Sequence, residues 1–199
     1  MSNNTPNQTS QIKVPATYMR GGTSKGVFFN LEDLPQEAQV AGAARDKLLL
    51  RVIGSPDPYA KQIDGMGGAT SSTSKTVIVS RSSRADHDVD YLFGQVSIDK
   101  PFVDWSGNCG NLSAAVGPFA IHAGLIPQDR IPENGIVTVR VWQVNISKTI
   151  LIHVQSSMVS SKKPESLNSM VSRFQRQRFK WILLILPMAK EVCSQRQLS

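Results

Sequence analysis

Short β-branched runs, each cut off by a polar, glycine-loaded segment, set the tightest limit on how this chain can fold. Ile12 to Met19, Val27 to Phe29, Thr76 to Val79, Val89 to Ile98, Ile136 to Val144 and Thr149 to Val154 all have strand character. Only two stretches carry helical spacing. The first opens at Leu34-Pro35 and runs through Ala43 to Ile53, with apolar positions at Leu48, Leu49 and Val52, until Gly54-Ser55-Pro56 stops it. The second places Leu112, Ala115, Val116, Phe119 and Ala120 on one face. Pro118 is expected to kink or divide that helix, and Gly124 to cap it. Strands therefore dominate, and the pattern predicts an α+β domain with mostly antiparallel pairing.

Three of the breaks between these runs are rich in glycine and hydroxyls: residues 20–26, 65–75 and 106–111. Glycine lets backbone N–H groups come close to a ligand, and Ser and Thr add hydroxyl donors. Arg20, Lys25 and Lys75 add positive charge. Together they describe a site for an anion, most simply a substrate with several carboxylates. They are not a nucleotide loop, because no Gly-x4-Gly-Lys-Ser/Thr pattern is present. Taken singly, each segment is also compatible with an ordinary turn.

Cys109 is expected at the start of the second helix, among Asn108, Gly110 and Asn111. A helix N-terminus favours a thiolate, which makes a cysteine usable as a base or nucleophile. A lone cysteine is equally compatible with a place in the core, but these polar and tiny neighbours do not read as a core environment. Lys75 opens an apolar strand, where it is either an exposed strand end or a desolvated base or carboxylate clamp. His87, His122 and His153 have no metal-ligand spacing, so no metal site is expected. No Gly-x-Ser-x-Gly elbow appears. A cysteine and a lysine around an anion cradle suggest cofactor-free proton transfer at a carbon beside a carboxylate.

The segments MRGGTSKGVFF (19–29), GMGGATSSTSKTVIVSRS (65–82), DVDYLFGQVSID (88–99) and VDWSGNCGNLSAAVGPFAI (103–121) closely resemble the PrpF family, and the likeness runs from about Ile12 to Val154. The resemblance implies the diaminopimelate-epimerase-like fold: two similar domains, each a sheet curled around a central helix, with the active site between them. It implies isomerisation of 2-methyl-trans-aconitate to 2-methyl-cis-aconitate in the methylcitrate route of propionate breakdown, with no metal or organic cofactor. By position, Cys109 and Lys75 are the implied acid/base residues. Arg20, Thr23, Ser24 and the segment holding Gly67, Gly68, Ser71 and Ser72 would hold carboxylates, helped by Asn108, Gly110 and Asn111 at the helix start. Related polycarboxylates, aconitate or a 4-oxalomesaconate-like acid, are not separated from this substrate by the motifs. A homo-oligomer is open for the intact family.

The likeness stops at Gln155. The net charge of +7 is also concentrated beyond that point: residues 155–199 hold 8 basic and 2 acidic side chains, against 14 and 13 in residues 1–154. Such an excess invites a non-catalytic reading, a basic tail recruiting nucleic acid or membrane. A shifted reading frame explains it instead. Back-translated with suitable codons and read one nucleotide earlier, the stretch from Gln155 to Phe174 becomes P-I-V-N-G-L-I-K-K-T-G-E-F-E-L-D-G-V-T-F, text of the kind the family has there. The expected organisation is a disordered lead (1–11), an incomplete epimerase-like domain (12–154) and a frameshifted, non-native tail (155–199), the second family domain being absent. Little or no isomerase activity is expected of this 199-residue product. No apolar run reaches the 18 or so residues of a membrane span, and the polar start MSNNTPNQTS has no signal-peptide character, so neither membrane nor nucleic-acid partners are expected and a cytoplasmic location is.

Overall fold

Residues 11–156, and the backbone of residues 179–185, are described by the computed structural model. Residues 1–10 of the lead expected to be disordered, and most of the segment expected to be frameshifted, lie outside the described residues. Within them, alternation along the strands feeds two cores, one on each face of a single sheet. In β3 (Lys75–Arg81), Val77 and Val79 join one apolar cluster and Ile78 the other. In β2 (Ser24–Asn30), Phe28 joins the first, while Val27 and Phe29 join the second. Strands buried on both faces need apolar residues at nearly every position, which explains their continuous runs.

Among the described residues the sheet has eight strands. With β1 (Ile12–Gly21), β4 (Val89–Val96), β5 (Val103–Asp104), β6 (Ile136–Gln143), β7 (Lys148–Gln155) and β8 (Phe179–Ile185), its order is β7-β6-β4-β3-β2-β1-β8, and β5 pairs with β4. Pairing is antiparallel except at β2–β3 and β4–β6. The α+β reading and the mostly antiparallel pairing agree with this mixed sheet. β8 lies in the segment expected to be out of frame. Its backbone runs antiparallel to β1, from Ile12 opposite Ile185 to Tyr18 opposite Phe179. Such a ladder uses only the N–H and C=O groups of the β1 edge.

The first helix departs from the expected single run. It is split into α1 (Gln36–Gln39) and α2 (Ala43–Ile53), with Gly42 between them at φ 148°. Arg45, buried on α2, donates to the carbonyls of Ala38 (2.9 Å) and Gln39. These are the orphan acceptors that the end of α1 leaves open. The stop is as read: Gly54 is left-handed (φ 83°) and its N–H reaches Leu50 O.

α3 (Gly110–His122) also differs from expectation, since Pro118 neither divides it nor ends it. Proline removes one intrahelical bond to residue 114. Ala114 is exposed, so water can reach the carbonyl left unpaired there. At its end the Leu125 N–H bonds Ala120 O and the Gly124 N–H bonds Ile121 O, with Gly124 at φ 71°. That is the Schellman arrangement, which glycine supplies without steric cost. Gly117 allows β7 to lie against the helix, because a Cβ there would sit 2.8 Å from an Ile152 methyl and 2.9 Å from a Val154 methyl. α3 contacts β1 and β2 as well as β6 and β7. α2 serves the second cluster, through Leu49, Leu50, Val52 and Ile53. Among the described residues no helix is long and apolar enough to cross a membrane.

Candidate functional site

The tip of the β1–β2 hairpin is the hub of the site. Arg20 pairs with Lys25 and Gly21 with Ser24, which leaves Gly22-Thr23 as a two-residue turn with Gly22 at φ 53°. A positive φ at the first turn position suits glycine and keeps the hairpin tight. The tip lies directly on the start of α3. A Cβ on Gly21 would fall 2.2 Å from Asn111 O, and one on Gly22 would fall 2.3 Å from Asn111 Oδ1. Asn111 Nδ2 in turn donates to Thr23 Oγ1 at 3.1 Å.

This contact carries the hairpin to Cys109. The Cys109 Sγ lies 3.7 Å from Ser24 Oγ, and both residues are buried. Cys109 occupies the cap position of α3 in extended conformation (φ −114°, ψ 99°). Its carbonyl accepts from the Ser113 N–H and Ser113 Oγ at 3.0 Å and from Tyr91 OH at 3.4 Å. The surroundings differ from those read in the sequence. Only 8% of Cys109 is exposed, and it belongs to the α3 core cluster with Met19, Tyr91 and Leu112. Its polar neighbours Asn108, Gly110 and Asn111 face water, while the thiol itself is turned inward.

Lys75 is buried too, at 8% exposure, rather than an exposed strand end. Its Nζ donates to Gln95 Oε1 at 2.5 Å and stands 5.0 Å from the centre of the Phe93 ring. Gln95 lies opposite Lys75 in the β3–β4 register. Its Nε2 donates to Ser74 O (2.8 Å) and Ser71 O (3.2 Å), so one amide ties the lysine to the hydroxyl-rich loop. Gly26 packs on the same strand, since a Cβ there would be 3.0 Å from Lys75 O and from Leu112 Cδ1.

The loop before Lys75 reaches the hairpin through the Lys25 N–H, which bonds Ser72 O at 2.9 Å. Ser72 Oγ and Thr73 Oγ1 both bond Thr70 Oγ1, at 2.9 and 2.8 Å. Gly68 sits against Thr73, and Gly67 against the buried side chain of Gln62. All three glycine-rich segments thus meet at one place. The cations are less uniform. Arg20 is exposed and its Nε donates back to Gly22 O at 2.8 Å, so its guanidinium stays beside the tip. Asn108 is exposed and precedes the cap. Two residues absent from the sequence-derived set hold the site's framework, Gln95 and Gln62. Gln95 lies within the 88–99 segment, but its place opposite Lys75 becomes visible only once the β3–β4 register is known.

The arrangement offers a thiol at a helix start and an ammonium on a strand, with hydroxyls, backbone N–H groups and two exposed cations around them. The positive end of the α3 dipole favours an anionic group over Gly110 and Asn111. Among the described residues no group of three or more His, Cys, Asp or Glu side chains is placed to hold a metal ion.

Comparison with known proteins follows the same residues. The family model described as "PrpF protein" matches residues 11–166. Over 144 residues, 72% of this chain, the chain is 81% identical to the 2-methyl-aconitate isomerase of Shewanella oneidensis and 78% identical to that of Cupriavidus necator. Those 144 residues span only 36% of each of these relatives. A crystal structure of methylitaconate-delta-isomerase superposes with a TM-score of 0.64 at 42% identity, covering 73% of this chain and 35% of that one. A family match over more than half of the chain, supported by identities of this size on the segments that build the site, makes this chain a member of the PrpF protein family.

Proposed function

We propose that the site serves an isomerase that interconverts 2-methyl-trans-aconitate and 2-methyl-cis-aconitate by cofactor-free proton transfer. The domain would then be the first of two epimerase-like domains, its sheet curled round α3, working in the cytoplasm on the methylcitrate route. Cys109 and Lys75 are the acid/base pair. One takes a proton from a carbon beside a carboxylate, and the electron pair of the broken C–H bond delocalises through the double bond and the carboxylate. The other returns a proton at a different position or face, so no atom or electron is gained overall. Positive groups and N–H donors fixed around the site stabilise that charge without reorganising. Thr23, Ser24, Arg20, the Gly67–Ser72 loop and the helix start at Gly110-Asn111 receive the carboxylates.

What supports this above all is the meeting of Cys109 and Lys75 with the three glycine-rich segments around one hairpin, in a chain 78–81% identical over 144 residues to 2-methyl-aconitate isomerases. The matched residues span 36% of the length of those relatives.

Proton NMR in deuterated buffer tests this assignment. Incubation with 2-methyl-trans-aconitate should give deuterium entry into the substrate, abolished in Cys109→Ser and in Lys75→Met. An absence of exchange and of binding in the unsubstituted chain would refute the assignment.

A further inference from the structure

The loop that carries Gly67 to Ser72 is strained, and one buried side chain holds it. Of the four non-glycine residues with positive φ among the described residues, three lie here: Ala60 (52°), Gln62 (51°) and Ala69 (57°). Each such residue costs on the order of 1–3 kcal/mol and persists only where its surroundings over-determine it. At Gln62 they do. Its backbone N–H bonds Asp57 Oδ2 at 2.7 Å, and its carbonyl accepts from Gly65 at 3.2 Å. Its side chain, in a residue only 1% exposed, donates to Ser55 Oγ (2.9 Å) and Ser74 Oγ (2.7 Å). Its Oε1 accepts the Ala69 N–H at 2.8 Å. Ser74 Oγ passes the chain on to Val96 O at 2.7 Å.

We infer that Gln62 is a positioning residue for substrate binding: its amide sets the conformation in which the 67–72 loop meets carboxylates and Lys75 enters β3. This rests on the proposed anion site. Both Nε2 hydrogens and the carbonyl oxygen are in use, so no shorter or apolar side chain can make the three bonds. The loop is also built around this one shape. Gly67 has no room for a Cβ, which would lie 2.2 Å from Gln62 Oε1 and 2.8 Å from Ile53 O. Ser74 is bonded to Gln62 and is the residue directly before Lys75, so a shift of the amide reaches the lysine through one peptide. A neutral amide is the suitable anchor chemically. It satisfies donors and acceptors in a buried place without adding a fixed charge beside an anionic ligand.

The test uses the 199-residue chain, with trans-aconitate as the probe, followed by NMR titration and amide hydrogen exchange. Gln62→Met keeps the volume and removes the bonds. It should expose the Ala69 amide to exchange and weaken trans-aconitate binding roughly tenfold or more, as small misplacements of binding groups do. Val137→Ala, a core change on β6, serves as the stability control and should leave the affinity unchanged. If Gln62→Met does not fold, Ser55→Ala removes one of the three bonds and should give an intermediate loss. Unchanged affinity in a folded Gln62 or Ser55 variant, or an equal loss in Val137→Ala, overturns the inference alone. Failure of the unsubstituted chain to bind overturns the proposed site, and this inference with it.

Discussion

Replacing Gly21 by alanine tests whether the hairpin tip is seated on the helix start. The added Cβ would lie 2.2 Å from Asn111 O and 2.9 Å from Leu112 Cα, whereas ordinary contact begins at 3.4 Å. Both obstacles are main-chain atoms, so no side-chain rotation relieves the clash. The tip must move by about 1 Å, at a typical cost of about 1–3 kcal/mol for overpacking. A shift of that size at a binding centre also lowers affinity, by up to about a hundredfold. Gly110→Ala gives the matched comparison, because a Cβ there meets nothing within 4 Å. It should leave stability unchanged or raise it by up to about 1 kcal/mol through helix propensity. Any loss of binding in Gly110→Ala would then come from the space the ligand needs. Urea midpoints and trans-aconitate titrations of both variants are the assay. If Gly21→Ala matches the unsubstituted chain in both, the tip does not rest on α3 as described.

Gln95→Leu should cost about 1–3 kcal/mol in urea unfolding, because it strips the buried Lys75 ammonium of its acceptor and frees the Ser71 and Ser74 carbonyls. A cost below about 0.5 kcal/mol would show that Lys75 is solvated instead. At Asp88, burial pushes the carboxyl up, but hydrogen bonds from the Arg130 guanidinium and the Arg140 amide outweigh it and hold the group below the usual carboxylate range. Below pH about 4 the unfolded chain therefore binds a proton that the folded one refuses, and stability falls as pH drops through the lowered folded value. Asp88→Asn should flatten that acid limb, measured by thermal melting at stepped pH. Tyr91 shows the opposite sign, since burial holds its phenol well above the ordinary tyrosine range. Its contribution is complete below pH about 10 and is lost as pH rises further, so Tyr91→Phe should remove part of the alkaline destabilisation. An alkaline limb identical in Tyr91→Phe and the unsubstituted chain would refute the assignment to Tyr91.

Local chemistry was enough for the parts of this protein that depend on neighbours in sequence. The β-branched runs became strands because alternation and stiffness at Cβ favour a pleated, buried surface. Gly54 and Gly124 ended helices because only glycine takes the left-handed conformation there without penalty. The motifs at 19–29, 65–82, 88–99 and 103–121 were sufficient to point to the PrpF family, which the family match then established. Tertiary structure decided the rest, because the deciding atoms lie far apart along the chain. Arg45 divides the first helical run by reaching back to α1, and Pro118 stays inside α3 because the helix is held by packing rather than by one bond. Cys109 looks polar in sequence and is buried, since its side chain turns into the α3 core while its neighbours face water. Ser24, 85 residues away, comes to its thiol only because the β1–β2 hairpin lies across the helix start. Gln95 and Gln62 carry no signal of their own, for a glutamine acquires a role only from the atoms that folding places around its amide.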